Sequence, residues 1–119
     1  MKYMIMMFGS AGEMMEVAPP EWIKDMIAFM IQLDHDLRDS GELVFNVGLA
    51  DGSTAKTVSL ENGVVVTTDG PYAESKESLI GYWVLDVASE ARVIEIASEI
   101  VVWARKVEVR QVADAPPEV

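Results

Sequence analysis

Residues 69–77, D-G-P-Y-A-E-S-K-E, put three carboxylates, a lysine and a tyrosine within nine positions. A carboxylate can give or take a proton, a lysine ammonium can hold an anion, and a tyrosine ring can form an apolar wall. In a ligand-lining loop Asp69 would be the acid or base. Lys76 would hold an anionic group, with Tyr72 and Glu74 beside it and Tyr82 on the segment that follows. A purely structural loop explains part of the same stretch. Asp69 can accept local backbone N–H groups, Pro71 fixes φ, and Gly70 relieves the crowding imposed on a residue before proline. That accounts for three residues, and the two roles stay evenly matched for the others. Asp69, Glu74 and Glu77 could share an oxygen-ligated Mg²⁺, but carboxylates are abundant enough here for such a grouping to arise by chance. No metal and no cofactor are therefore expected.

Two further residues carry chemistry. On a helical projection Asp34 falls inside an apolar arc between Met30 and Leu37. It can pair with Arg38 at i,i+4, or face a dry pocket, where its pKa would rise and it could serve as a base or ligand contact. His35, the single histidine, projects onto the polar side with Ala28, Gln32 and Asp39 and is expected in solvent. There is no Gly-rich phosphate loop, nucleophile elbow or histidine pair.

The composition narrows the setting. The chain has 119 residues, half of them hydrophobic, with 9 basic and 20 acidic side chains and a net charge of −11. That length suits one domain, expected over residues 1–112 with a frayed tail over 113–119. So acidic a surface repels phosphate backbones and anionic lipid, which argues against nucleic-acid and membrane partners. With no cysteine, disulfide and thiolate chemistry are excluded. The N-terminal apolar run is too short for a secretory signal, and a cytoplasmic location is expected.

The elements that must position these residues follow from periodicity. Tyr3 to Phe8 is a strand apolar on both faces. Pro19-Pro20 open a helix whose Trp22, Ile23, Met26, Ile27, Met30, Leu33 and Leu37 share one face, and Gly41 ends it. Leu43 to Leu49 is a second strand. Thr54 to Leu60 and Val64 to Thr68 flank Asn62-Gly63, a two-residue hairpin turn. Leu79 to Asp86 is a further buried strand. Ser89 caps a second helix with Val93, Ile96, Ala97 and Ile100 in one stripe, and Lys106 to Val112 alternates as an edge strand does. The order β-α-β-(hairpin)-β-α-β is that of a ferredoxin-like α+β sandwich. Two helices cover one face of such a sheet, so the second apolar face predicts a homodimer packed sheet to sheet.

The run V-V-V-T-T-D-G-P-Y-A-E-S-K-E-S-L-I-G-Y-W-V-L-D-V resembles the YCII-related proteins, as do K-Y-M-I-M-M-F-G, L-R-D-S-G and V-E-V-R-Q-V. It is most similar to their branch named for a D-G-P-F signature, with Tyr72, Ser75 and Ile80 departing from the pattern. The resemblance implies a ferredoxin-like subunit pairing into a dimeric α/β barrel. It also implies kinship with lactone-isomerase-like and dehydrochlorinase enzymes that use a His-Asp pair between sheet and helices. Their histidine lies near the start of the first helix, where this chain has P-P-E-W-I-K, so that chemistry does not carry over. Branch members often accompany extracytoplasmic-function sigma factors. Two functions follow as expectations: a barrel binding a small cyclic or anionic metabolite, with acid/base chemistry of isomerase or lyase type, or a non-catalytic interaction module attached to a sigma-factor or stress system.

Overall fold

The computed structural model describes residues 1–9, 17–71 and 78–115. The elements run β1 (Lys2–Gly9), α1 (Pro20–Asp39), β2 (Leu43–Gly48), a 3-10 turn (Gly52–Thr54), β3 (Lys56–Glu61), β4 (Val64–Asp69), β5 (Ser78–Asp86), α2 (Glu90–Ala104) and β6 (Val107–Gln111). Four strands form one antiparallel sheet in the order β2-β5-β1-β6, and β3-β4 form a separate two-stranded sheet. With the hairpin set aside, that order and the two crossover helices are those of a ferredoxin-like α+β fold.

Local signals explain the boundaries. Pro20 opens α1, where its missing N–H would have had no helical partner. The Ser89 side chain accepts from the Arg92 N–H and caps α2. Asn62 and Gly63 adopt φ of 50° and 78°, the paired positive values that a two-residue hairpin turn requires.

Alternation along the strands fixes the core. Tyr3, Ile5, Trp83 and Leu85 turn toward the helices and meet Leu33, Leu37, Val93, Ile96 and Ile100. Full burial of a Leu or Ile side chain stabilises by roughly 1.5–3 kcal/mol, so this layer supplies most of the cohesion. Trp103 ties the helices together, with its ring centroid 5.5 Å from Trp22 and 5.9 Å from Phe29. The apolar face expected for α1 is narrower than the projection suggested. Ile27 lies at its margin and remains 46% exposed, because the sheet beneath is reached mainly by Met26, Met30, Leu33 and Leu37.

The sheet's other face carries Met4, Met6, Tyr82 and Val84, all only partly covered, beside an exposed Phe45. The chain measures 49 × 46 × 19 Å. The short dimension matches one sheet and one helix layer, so among the described residues no second layer lies over that face. Among the described residues no helix is long and apolar enough to cross a membrane.

Candidate functional site

Among the described residues, concave regions lie at two places on the sheet. The first lies between α1 and the β2–β5 end, has a volume of about 440 Å³, and is lined by Met7, Met26, Met30, Asn46, Gly81 and Trp83, with Tyr82 at its border. Gly81 belongs here for a steric reason: a Cβ at this position would sit 3.0 Å from the Val47 carbonyl oxygen of the neighbouring strand. A glycine lets β2 and β5 approach and leaves the cleft floor open.

Asn46 is the polar group of this otherwise apolar cleft. Its Nδ2 donates to Asp34 Oδ1 at 3.1 Å, and Arg38 Nε donates to Asp34 Oδ2 at 2.8 Å. Asp34 is one helical turn before Arg38, the i,i+4 pairing anticipated from the sequence. Its carboxyl is not raised into the range of a general base. The Arg38 hydrogen bond, opposed by partial desolvation and aided by Asn46, holds it below the ordinary aspartate value. Asp34 is thus a fixed anion that orients Asn46. His35, next in sequence, is exposed on the outer side of α1, so the cleft contains no histidine.

The second region lies at the base of the hairpin. It has a volume of about 590 Å³ and is bordered by Phe8, Leu49, Val58, Pro71 and Leu79. Asp69, the last residue of β4, stands opposite Lys56 in the ladder and forms an ion pair with it. The Asp69 side chain is 86% exposed. Gly70 follows with φ of 109°, its N–H donating to the Ala55 carbonyl at 2.8 Å, while Thr57 Oγ1 donates to the Gly70 carbonyl at 2.8 Å. Asp69, Gly70 and Pro71 therefore end the hairpin.

The residues singled out from the sequence separate in space. Asp34 and Tyr82 come near the same cleft, though the Tyr82 ring lies on the opposite sheet face, 6.2 Å from Phe45. Asp69 lies away from them, at the open end of the hairpin. Tyr72, Glu74, Lys76 and Glu77 lie outside the described residues. Among the described residues no group of histidines and carboxylates could hold a metal ion. Asn46 and the methionines of the cleft were not singled out. A polar residue inside L-V-F-N-V-G was the signal for Asn46; Met26 and Met30 look like ordinary core positions in sequence.

A YCII-related domain matches residues 1–116, nearly the whole chain. The chain belongs to the YCII-related family. Its extent passes Val112, where the alternating strand pattern stops. The chain is also 31% identical over 62 residues to a protein of Rhizobium meliloti (strain 1021) described as uncharacterized. That alignment covers 52% of this chain and 50% of the relative, so the chain spans about half the length of the protein it matches. The YCII-related assignment carries the fold and no particular reaction.

Proposed function

We propose that this YCII-related protein binds a small cyclic metabolite, largely apolar with one hydrogen-bonding group, in the cleft between α1 and the sheet. The observation that carries this is the Asn46 amide, presented among methionines and Trp83 and fixed from behind by Asp34. A volume of about 440 Å³ with mostly apolar walls and one oriented polar group suits a small molecule. One Asn46 Nδ2 hydrogen is used on Asp34, which fixes the amide and leaves its oxygen to accept from a ligand. The ionised Asp34 disfavours an anion there. Its lowered pKa also favours binding over proton abstraction. Asp69 enters as a hairpin-closing residue paired with Lys56.

The same proposal includes a homodimer, packed through the open sheet face into a dimeric barrel of the kind expected for the D-G-P-F branch. Met4, Met6, Tyr82 and Val84, with the exposed Phe45, form an apolar surface that soluble chains rarely leave in water.

A thermal-shift screen of small lactones, phenols and cyclic amides tests the ligand site. A true ligand at a hundred times its Kd stabilises by about 2.7 kcal/mol. Met30→Trp, which fills the cleft, should abolish that shift, while His35→Gln and Asp69→Asn should leave it intact. Binding that survives Met30→Trp but is lost in Asp69→Asn would move the site to the hairpin end.

A further inference from the structure

The β3–β4 hairpin is a small sheet whose two faces both carry apolar side chains. Register fixes the faces: Val58 stands opposite Thr67 and Leu60 opposite Val65, while Ser59 faces Val66 and Glu61 faces Val64. Val58, Leu60, Val64 and Val65 are 64%, 71%, 62% and 69% exposed. A two-stranded hairpin is marginal in water on its own, and four large aliphatic side chains left in solvent make it more so. We infer that this hairpin is an arm by which two copies of the chain clasp each other, its Val58–Leu60–Val65 face lying across the open sheet of the second copy. This deepens the sheet-to-sheet dimer proposed above and rests on it.

Three features select a second copy as the occupant. The first is continuity. The hairpin base meets the sheet in the cleft bordered by Phe8, Leu49, Val58 and Leu79, so the arm's apolar face and the open sheet face belong to one uninterrupted surface. Each copy therefore carries both a projecting element and a receiving one, and a single two-fold operation satisfies both at once. The second is size. Six residues of extended strand reach roughly 20 Å, and four strands side by side span roughly 19 Å, so the arm is long enough to cross the sheet from edge to edge. Val58, Leu60 and Val65 on the arm, Phe8 and Leu49 at the cleft rim, and Phe45 are all exposed, an apolar patch of the kind that marks an interface. The third is charge. In a chain of net charge −11, Lys56 and Asp69 neutralise one another on this arm face, and Val58, Leu60, Val65 and Thr67 add none. A neutral patch is where two strongly acidic copies can approach without repulsion.

Sedimentation equilibrium on the full chain tests the arm. Wild type should be a dimer at micromolar concentration. Leu60→Asp combined with Val65→Asp should raise the dissociation constant at least tenfold while the far-UV circular dichroism of the dissociated chain stays unchanged. Because the chain has no cysteine, a second measurement is clean: Leu60→Cys mixed with Met6→Cys or with Val84→Cys, then oxidised, should give a disulfide-linked hetero-pair identified by mass. A wild-type dimer whose constant ignores the two aspartates, and which yields no hetero-pair, overturns the arm and leaves sheet pairing standing. A wild-type monomer overturns both.

Discussion

The helix-covered sheet and the hairpin are both built from strands rich in apolar side chains, yet they end in opposite environments. In β1 and β5 the inward residues meet α1 and α2 because each helix is a crossover connection that must fold back over its own strands. Ile5 and Leu85 are fully buried as a result. In β3 and β4 the link between the strands is a two-residue turn at Asn62-Gly63, too short to bring a covering layer. Val58 and Leu60 stay out. Alternation therefore says which residues share a face, whereas connectivity says whether that face is covered from within the chain.

The widest gap between the two regions should appear on truncation. Leu85→Ala or Leu37→Ala should destabilise by about 2–5 kcal/mol, since each leaves a cavity in a close-packed layer. Leu60→Ala should cost no more than about 0.5 kcal/mol in the monomer. Urea denaturation at concentrations low enough to dissociate any dimer measures both, and equal losses would erase the distinction.

A second contrast concerns glycine. Gly81→Ala forces a Cβ to within 3.0 Å of the Val47 carbonyl, and the neighbouring strand must yield at a cost of about 1–3 kcal/mol. Gly48, on the edge strand β2, has nothing within 4 Å of an added Cβ. Gly48→Ala should be close to neutral in the same denaturation experiment. If the two variants matched, the close approach of β2 and β5 would not be what Gly81 provides.

The legible part of the molecule was its local grammar. The Asn62-Gly63 turn, the Ser89 cap, the Pro20 start and the alternation of β6 are each set by residues a few positions apart, so the element order could be written from sequence. Helical spacing also offered the Asp34–Arg38 pair as one of two readings of Asp34, and the pair is present. What could not be read was the partner of Asp34 across the fold. Asn46 is 12 positions away and reaches it only when β2 takes the edge of the sheet under α1. The same holds for Asp69. Its sequence neighbours suggested a site, but its ladder partner is Lys56, 13 positions back, and that pairing depends on hairpin register rather than on composition.

Ion pairs extend the comparison. Glu42 accepts from Arg92 Nε and Nη2, both at 2.9 Å, across the joint between the end of α1 and the start of α2, and its side chain is only 16% exposed. The Arg92 hydrogen bonds hold the Glu42 carboxyl below its ordinary value despite partial desolvation. A depressed folded pKa contributes stability that is present above the unfolded value near 4.5 and disappears as pH falls through the lower folded one. Arg92 is 37% exposed, so solvent screening limits the gain to about 1 kcal/mol. Glu42→Gln should therefore lower stability by about that much at pH 7 and flatten its decline below pH 4.5. Asp69→Asn, at the exposed hairpin pair, should change stability by less than about 0.5 kcal/mol. Denaturation curves at a series of pH values separate the two.

One expected effect is a gain, and it comes from the helix-covered half. The hairpin places its positive φ angles on Asn62 and Gly63, residue types that accept them. The joint between α2 and β6 places one on Arg105, with φ 67° and ψ −49°. The Lys106 N–H donates to the Ala104 carbonyl at 2.8 Å, closing a γ-turn of the rare, strained kind around Arg105. Such a conformation costs a residue with a Cβ about 1–3 kcal/mol. Glycine removes that strain but adds about 0.4–1 kcal/mol of unfolded-state entropy. The balance favours Arg105→Gly by about 0.5–1 kcal/mol, read as a higher urea midpoint at unchanged slope. Gly63→Ala, which puts a Cβ at φ 78°, should move the midpoint the other way. A loss of stability in Arg105→Gly would mean that the Arg105 side chain contributes more at this joint than its backbone strain costs.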